Sequence, residues 1–221
     1  MAETRLVLIR HGESQVTLDQ IVGGHKGCTG LSPLGRKQAA ALRDRLRRSG
    51  ELREVAALYA SVLPRAVETA EIIAPALGRG DLEVAQECGV CEIHPGEADG
   101  LTWDEFRQRY GVPGMSPADR YREWAPGAES WATFVARVGA TLLELAKRHA
   151  GGTIVIACHG GVVETSFAVL GGLSLARPFD LIATNTSLTE WVTADDKWGR
   201  WRLARYNDAA HLADVDLPET P

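Results

Sequence analysis

Two histidines in this chain stand directly before glycine, and each follows a short apolar run. His11 lies in the segment Arg10-His11-Gly12-Glu13, and His159 opens the segment His159-Gly160-Gly161. A neutral imidazole nitrogen can attack phosphorus without first losing a proton, and the phosphoramidate that forms can be hydrolysed. A neighbouring guanidinium can hold phosphate oxygens through paired hydrogen bonds. These residue types therefore fit phosphoryl transfer through a phosphohistidine.

A histidine at the end of a strand can also be a hydrogen-bonded structural residue, and for either histidine alone that interpretation is the commoner one. A third segment changes the balance, because Arg65 lies in the run from Ser61 to Ala70, directly after another apolar run. Gly12 would let the backbone approach an anion closely. The N–H groups of a helix that opens at Gly160 would suit an anion as well. A purely structural interpretation must then hold for four residues at once, two histidines and two arginines, which favours the functional interpretation. The four are Arg10, His11, Arg65 and His159.

The elements that must position these residues alternate between strands and helices. Short apolar or alternating runs predict strands over residues 4–10, 56–61, 82–85, 153–158, 187–193 and 201–206. Apolar residues at helical spacing, with Ser-Pro starts and glycine stops, predict helices over residues 32–49, 64–77, 130–149 and 162–170. This order predicts an α/β fold, a three-layer doubly wound and mostly parallel sheet with helices on both faces. Ligands bind such sheets at the carboxyl ends of the strands, where both His-Gly pairs lie.

Residues 86–130 differ from the rest of the chain. They contain most of the aromatic residues and a capping box, Thr102-x-x-Glu105. We expect a small helical cap inserted into a single domain over residues 1–207, followed by a loose tail over 208–221. The cap aromatics are expected to pack against one another, and contact with the apolar part of a substrate is the alternative.

The motifs, taken in order, resemble those of the histidine phosphatase superfamily, which includes cofactor-dependent phosphoglycerate mutase and alpha-ribazole phosphatase. The resemblance covers residues 4 to about 193, and each motif is weak alone whereas the ordered set is highly specific. The motifs are Arg10-His11-Gly12-Glu13-Ser14, the Gly24-His25 loop, Leu31-Ser32-x-x-Gly35-x-x-Gln38-Ala39, the run from Ser61 to Ala70, Pro126-Gly127-x-Glu129-Ser130 and His159-Gly160-Gly161.

The resemblance implies that His11 attacks the phosphoryl group, while Arg10, Arg65 and His159 hold its equatorial oxygens. It also implies an acid/base role for Glu92, because residues 92–102 look like the family segment in which a glutamate precedes Gly-Leu-Thr. Such a residue would protonate the leaving oxygen and then take a proton from the attacking water. Glu87 and Glu97 are the competing candidates for this role.

Further contacts to phosphate or substrate are expected from Gly12, Gly24, Gly160 and Thr17. Family members commonly carry asparagine at the position of Thr17, three residues after Ser14. A threonine hydroxyl can still donate one hydrogen bond there. Glu13 and Ser14 are expected to brace the loop.

The resemblance implies a metal-independent phosphomonoesterase, without a cofactor, that acts on a small phosphate ester. A phosphoglycerate mutase is one alternative, but mutases of the family carry a basic segment that pairs a second acidic group of the substrate. The insertion here instead carries acidic residues in its first part, Glu97, Asp99, Asp104 and Glu105. A non-catalytic module that binds a phosphorylated ligand is the other alternative, although such a module has no need of a proton donor.

Composition limits the partners and the compartment. The 221 residues carry 24 basic and 29 acidic side chains, a net charge of −5, so no global basic field would collect nucleic acid or an anionic membrane. No apolar run approaches the ~20 residues that are needed to cross a bilayer. The apolar run within the first ten residues is too short for the core of a signal peptide. We therefore expect a cytoplasmic protein, and the sequence leaves a homodimer open. Cys88-x-x-Cys91 lacks a second cysteine or histidine pair, so no metal site is predicted.

Overall fold

The computed structural model describes residues 2–78, 82–111, 118–176, 179–194, 199–213 and 215. In these residues six strands form one sheet in the order β3-β2-β4-β1-β5-β6. The strands are β1 (Glu3–Arg10), β2 (Ala57–Ala60), β3 (Val84–Gln86), β4 (Thr153–Cys158), β5 (Leu188–Ala194) and β6 (Arg202–Asp208). Strands β3, β2, β4 and β1 pair in parallel, whereas β5 pairs antiparallel with both β1 and β6. The mostly parallel sheet is confirmed.

The helices begin and end where the sequence changes character. They are α1 (Gln15–Leu18), α2 (Pro33–Ser49), α3 (Pro64–Ile73), α4 (Trp103–Tyr110), α5 (Trp131–Arg148) and α6 (Gly160–Val169). Helix α2 starts where the Ser32 side chain accepts a hydrogen bond from the Gly35 N–H, and it stops at Gly50, whose φ of 64° favours glycine. Helix α3 ends before the predicted residue 77, because Pro75 lies in a short 3₁₀ turn and has no N–H for a helical bond.

Two apolar layers cover the sheet, one on each face. Alternate residues of β1 point to opposite sides, so Leu6 and Leu8 pack with α5 and α6, while Val7 and Ile9 pack with α2 and α3. Strand β4 lies between β1 and β2 and is buried over its whole length, as expected for a parallel strand covered on both faces. The three-layer α/β fold is therefore confirmed. Within the described residues, no helix is both long enough and apolar enough to span a bilayer.

The inserted segment has a small core of its own. Phe106 of α4 is buried at its centre, and Trp103 and Trp124 pack around it. Thr102 and Glu105 form the predicted capping box, in which each side chain accepts a hydrogen bond from the other's backbone N–H. Phe106, Trp103, Tyr110 and Trp124 thus pack together, as the sequence suggested, whereas Tyr121 of the same segment is exposed.

The ordered fold extends past the boundary expected at residue 207, so the tail prediction is wrong for residues 208–213. Strand β6 ends at Asp208, whose carboxylate accepts two hydrogen bonds from Arg45 of α2, at 2.8 and 2.6 Å. His211 Nε2 lies 2.8 Å from Thr186 Oγ1, and Leu212 is buried. The partners of these residues lie far away in the sequence, which is why local composition did not reveal the contacts.

Candidate active site

Strand register brings the two histidines together. Strands β1 and β4 are parallel neighbours, and Arg10 at the end of β1 pairs with Cys158 at the end of β4. The next residue of each chain segment is a histidine, and the His11 and His159 rings lie 5.0 Å apart between centroids. Arg65, in the first turn of α3, donates from Nε to His11 Nε2 at 3.1 Å and to His159 Nδ1 at 3.3 Å. Both imidazoles and one guanidinium therefore meet at one edge of the sheet.

The hydrogen bonds of His11 define its tautomer. Its Nδ1 lies 2.6 Å from the Gly12 carbonyl oxygen, which can only accept, so Nδ1 carries the proton. Its Nε2 accepts from Arg65 and therefore carries the lone pair. Burial, followed by the charges of Arg65 and Arg10, holds the pKa of His11 well below its usual 6.5. At neutral pH the ring is thus uncharged, with its nucleophilic nitrogen at Nε2.

His159 is held from its other side by Ser61, directly after β2. Its Nε2 donates to Ser61 Oγ at 2.8 Å, because Nδ1 already accepts from Arg65. The Ser61 hydroxyl in turn donates to Cys91 Sγ at 3.3 Å. Burial lowers the pKa of His159 well below its usual value, with the charge of Arg65 adding to the effect. Sequence reasoning gave Ser61 no role, although its position at the end of a parallel strand was a usable signal.

The Arg10 guanidinium is only partly hydrogen-bonded. One Nη donates to the carbonyl of Ala183, whereas the buried Nε–H has no hydrogen-bond partner among the described residues. A buried donor without a partner costs roughly 1–3 kcal/mol, so an anion that accepts from it gains affinity. Burial lowers the pKa of Arg10, and the Glu92 carboxylate acts in the opposite direction. A guanidinium nevertheless stays charged in proteins.

Glu92 lies against the start of α6. Its Oε2 accepts from the Gly161 N–H and its Oε1 from the Ile93 N–H, both at 3.1 Å. A Cβ at position 161 would stand 2.2 Å from Glu92 Oε1, so the close approach of the carboxylate requires glycine. Gly161 is a positioning residue that the sequence prediction did not include. The competitor Glu87 accepts from the Gly89 N–H instead.

These side chains share one pocket of about 400 Å³. Of the predicted site residues, Arg10, His11, Thr17, Arg65 and Glu92 line it, whereas His159 is fully buried behind the others. The Thr17 hydroxyl lies 2.9 Å from that of Ser14. The remaining wall is largely apolar and includes Val16, Ile21, Val22, Ile93, Pro95, Trp103, Trp124 and Trp131.

The charges of the lining residues are unevenly distributed. Arg10 and Arg65 are the only cationic side chains among the described residues that line the pocket. Glu164, one turn into α6, adds a second carboxylate to that of Glu92. Sequence reasoning overlooked Glu164, whose signal was its position one helical turn after Gly160. Among the described lining residues, positive charge is thus confined to the surroundings of His11.

Three glycines expected to contact phosphate do not line the pocket: Gly12, Gly24 and Gly160. The Gly12 N–H donates to Thr69 Oγ1 at 3.1 Å, and a Cβ on Gly12 would stand 2.5 Å from the Gly35 oxygen. The Gly24 N–H donates to Asp99 Oδ1 at 3.0 Å. Both amides are therefore used to brace loops, and glycine is needed there for close packing rather than for the approach of an anion.

Comparison with known proteins identifies the family. The model of the histidine phosphatase superfamily, branch 1, matches residues 6–209. A 2,3-bisphosphoglycerate-dependent phosphoglycerate mutase from Bartonella henselae is 34% identical over 78% of this chain and 84% of the relative. A metal-independent phosphoserine phosphatase from Arabidopsis thaliana is 30% identical over 96% of this chain and 84% of the relative. A mycobacterial glucosyl-3-phosphoglycerate phosphatase structure superimposes with a TM-score of 0.73 at 28% identity, covering 92% of this chain and 99% of the other.

Proposed function

Because the chain belongs to the histidine phosphatase superfamily, we propose that it is a phosphomonoesterase that forms a phosphohistidine on His11. The observation that carries this proposal is the neutral tautomer of His11, whose lone pair lies on Nε2. Two guanidiniums, Arg10 and Arg65, and the Glu92 carboxylate line the same pocket. The site thus combines a nucleophile, positive charge and a proton carrier.

In the first step His11 Nε2 attacks phosphorus, so a P–N bond forms as the P–O ester bond breaks. Protonated Glu92 gives its proton to the leaving oxygen, which departs as a neutral alcohol. The Arg65 Nε–H, which donates to the His11 Nε2 lone pair in the free enzyme, then donates its hydrogen bond to a phosphoryl oxygen. The Arg10 Nε–H also donates to a phosphoryl oxygen. These donors stabilise the charge that develops in the transition state. The Gly12 carbonyl, 2.6 Å from Nδ1, supports the imidazolium that results.

In the second step water attacks the phosphohistidine. Glu92, now ionised, takes a proton from that water while the P–N bond breaks. His11 leaves as the neutral Nδ1–H tautomer, so it needs no further proton. The cycle closes when Glu92 is again protonated and inorganic phosphate departs.

The pocket wall favours hydrolysis over mutase chemistry. A mutase must hold a second acidic group, yet the two arginines near His11 are the only cations among the described lining residues. Trp103, Trp124 and Trp131 also line the pocket. Indole rings suit an alcohol with an apolar face. We therefore propose a substrate whose alcohol part is neutral.

The test is a panel of phosphate monoesters with neutral and anionic alcohol parts, measured by release of inorganic phosphate beside a phosphoglycerate mutase assay. We expect hydrolysis of the neutral members, with kcat/KM above that of 3-phosphoglycerate. Faster exchange between phosphoglycerate isomers than hydrolysis would overturn the proposal, and no turnover by the folded protein would favour a binding module.

A further inference from the structure

Four potential metal ligands meet outside the pocket: His25, Cys88, Cys91 and His94. One ligand atom from each lies within 4.8 Å of all the others. The two sulfur atoms are 3.5 Å apart, and Cys88 Sγ lies 3.9 Å from His94 Nε2. Three of the ligands come from one short segment, Cys88-x-x-Cys91-x-x-His94, and the fourth comes from the loop after Gly24. The prediction of no metal site relied on a missing second pair, and the fold places two histidines there.

We propose that these four side chains form a tetrahedral Zn²⁺ site. Two cysteines and two histidines are a donor set of structural zinc centres, with Zn–S near 2.3 Å and Zn–N near 2.0–2.1 Å. Tetrahedral angles then put ligand atoms roughly 3.3–3.8 Å apart. The sulfur pair already has that spacing, and the Cys88–His94 pair is close to it. The remaining pairs of ligand atoms lie within 4.8 Å, and the ring of the exposed His25 can change rotamer to shorten its own distances.

The cysteine loop is held in place by Arg137 of α5. Its Nη1 donates to the carbonyls of Cys88, Gly89 and Cys91 at 3.2, 3.0 and 3.2 Å. Glu129 fixes the guanidinium in turn, accepting from Nε at 2.7 Å and from Nη2 at 2.6 Å. The loop is therefore shaped before an ion binds.

The loop that carries His25 has its own clamp. The Asp99 carboxylate accepts from the N–H groups of Gly24, Lys26 and Gly27 at 3.0, 2.8 and 3.0 Å. His25 lies between these fixed positions, and its ring centroid is 5.5 Å from that of His94. Both ligand-bearing loops are thus anchored by charged side chains that are not ligands themselves.

A carboxylate outside the cluster lies beside one of the ligands. His94 Nε2 faces Cys88, while its Nδ1 lies 3.8 Å from a Glu129 carboxylate oxygen. Glu129 also accepts from the His94 backbone N–H at 2.9 Å, which holds this residue in place. Carboxylate–histidine–zinc sites likewise have a carboxylate beside the ring nitrogen that does not bind the metal.

An ion at this site would order the segment that carries Glu92. Glu92 stands between the ligands Cys91 and His94 in the sequence. The Cys91 sulfur also accepts from Ser61, which holds His159. The expected result is a more stable protein and a fixed carboxylate. The benefit to Glu92 rests on the proposed function, whereas metal binding itself does not.

The test uses the full chain without an affinity tag, reduced, stripped by a chelator and titrated with Co²⁺ and then Zn²⁺. We expect one ion per chain, the charge-transfer absorption of a Co²⁺–thiolate bond, tetrahedral visible bands and a higher Tm with Zn²⁺. His25→Ala and Cys88→Ser remove exposed ligands and should each weaken Zn²⁺ binding by about 100-fold or more, since even outer-shell changes cost 10–100-fold. His149→Gln, a histidine outside the cluster, is the matched control and should bind as the wild type does.

Several results would overturn the site. They are a Co²⁺ spectrum without thiolate bands, an octahedral spectrum, equal affinity in the two ligand variants and the control, or a Cys88–Cys91 disulfide that persists in the reduced protein. All of these readouts are independent of turnover. A folded protein that shows the Co²⁺–thiolate spectrum but hydrolyses no phosphate ester would count against the proposed function alone. A protein that hydrolyses esters but shows no Co²⁺–thiolate spectrum would count against the metal site alone.

Discussion

Replacing Gly161 with alanine displaces the Glu92 carboxylate without removing it. The new Cβ would stand 2.2 Å from Glu92 Oε1 and 3.1 Å from Phe134 Cε1. Because ordinary contacts of a Cβ begin at about 3.4 Å, the carboxylate must move by about 1 Å. A misplacement of about 1 Å in a catalytic group can cost about 100-fold in rate, or about 2.7 kcal/mol. Gly160→Ala is the matched comparison, because a Cβ there meets only Arg10 Nε, at 3.8 Å.

The assay measures kcat/KM for one alkyl and one aryl phosphate, with release of the alcohol as the readout. This constant covers the steps up to the departure of the alcohol, so it excludes the later hydrolysis of the phosphohistidine. An alkyl alcohol is a poor leaving group and needs the proton from Glu92, whereas an aryl alcohol departs without it. For Gly161→Ala we expect a loss of about 100-fold with the alkyl ester and less than about 10-fold with the aryl ester.

The outcome is decided by the difference between the two substrates. Equal losses would show that Glu92 is not the acid that protonates the leaving oxygen. Unchanged constants for both esters would show that its position against Gly161 has no part in the reaction. A loss in Gly160→Ala as large as that in Gly161→Ala would assign the effect to the helix start rather than to Glu92.

Three further predictions concern the buried hydrogen bonds, the pH dependence of stability and chelation. Ser61→Ala leaves the His159 Nε2–H and the Leu63 N–H without their acceptor, so urea denaturation should show a loss of about 1–3 kcal/mol in the free energy of unfolding, and a loss below about 0.5 kcal/mol would contradict the assignment. Buried His11 and His159 have lowered pKa values in the folded state, so below about pH 6.5 the unfolded chain binds more protons than the folded protein. The free energy of unfolding therefore decreases as the pH is lowered through this range, by about 1.4 kcal/mol per pH unit for each histidine. His11→Gln should flatten that slope in phosphate-free buffer, and an unchanged slope would contradict the pKa direction. Formation of the phosphohistidine from an aryl phosphate should survive EDTA, because Arg10 and Arg65 supply the positive charge beside His11 and an aryl leaving group does not need the proton of Glu92. Loss of phosphohistidine formation after chelation would place a metal at the reacting centre.

The fold followed from the sequence where local patterns determine structure. Strand β4 is a continuous apolar run, and α2 carries both its Ser32 cap and its Gly50 stop, so their bounds were predicted to within about two residues. Tertiary contacts decided the rest. Helix α6 begins at Gly160, two residues before the apolar run that predicted it, and in its first turn the Gly161 N–H donates to the Glu92 carboxylate.

The candidate site was predictable to the extent that strand ends determine it. His11, Arg65 and His159 each follow a parallel strand, so topology alone brings them to one edge. The uses of backbone N–H groups could not be read in the same way. Gly12 gives its N–H to Thr69, which comes from α3, and no pattern around Gly12 reveals that acceptor.

The cysteine and histidine cluster illustrates the same limit. Cys88, Cys91 and His94 are close in the sequence, and their spacing was visible. His25 comes from a loop whose position depends on the hydrogen bonds of Asp99. A ligand set assembled from two loops becomes visible only when the loops are placed together.

The most direct test of the central claim is the chemical identity of the phosphorylated enzyme. The protein is mixed with a labelled aryl phosphate, quenched in alkali within the first turnover and digested for mass spectrometry. The geometry of His11 predicts an acid-labile, alkali-stable phosphoryl group on its Nε2, because Nδ1 is occupied by the Gly12 carbonyl. A phosphoryl group on another side chain, on Nδ1 of His11, or on none while turnover proceeds would contradict it.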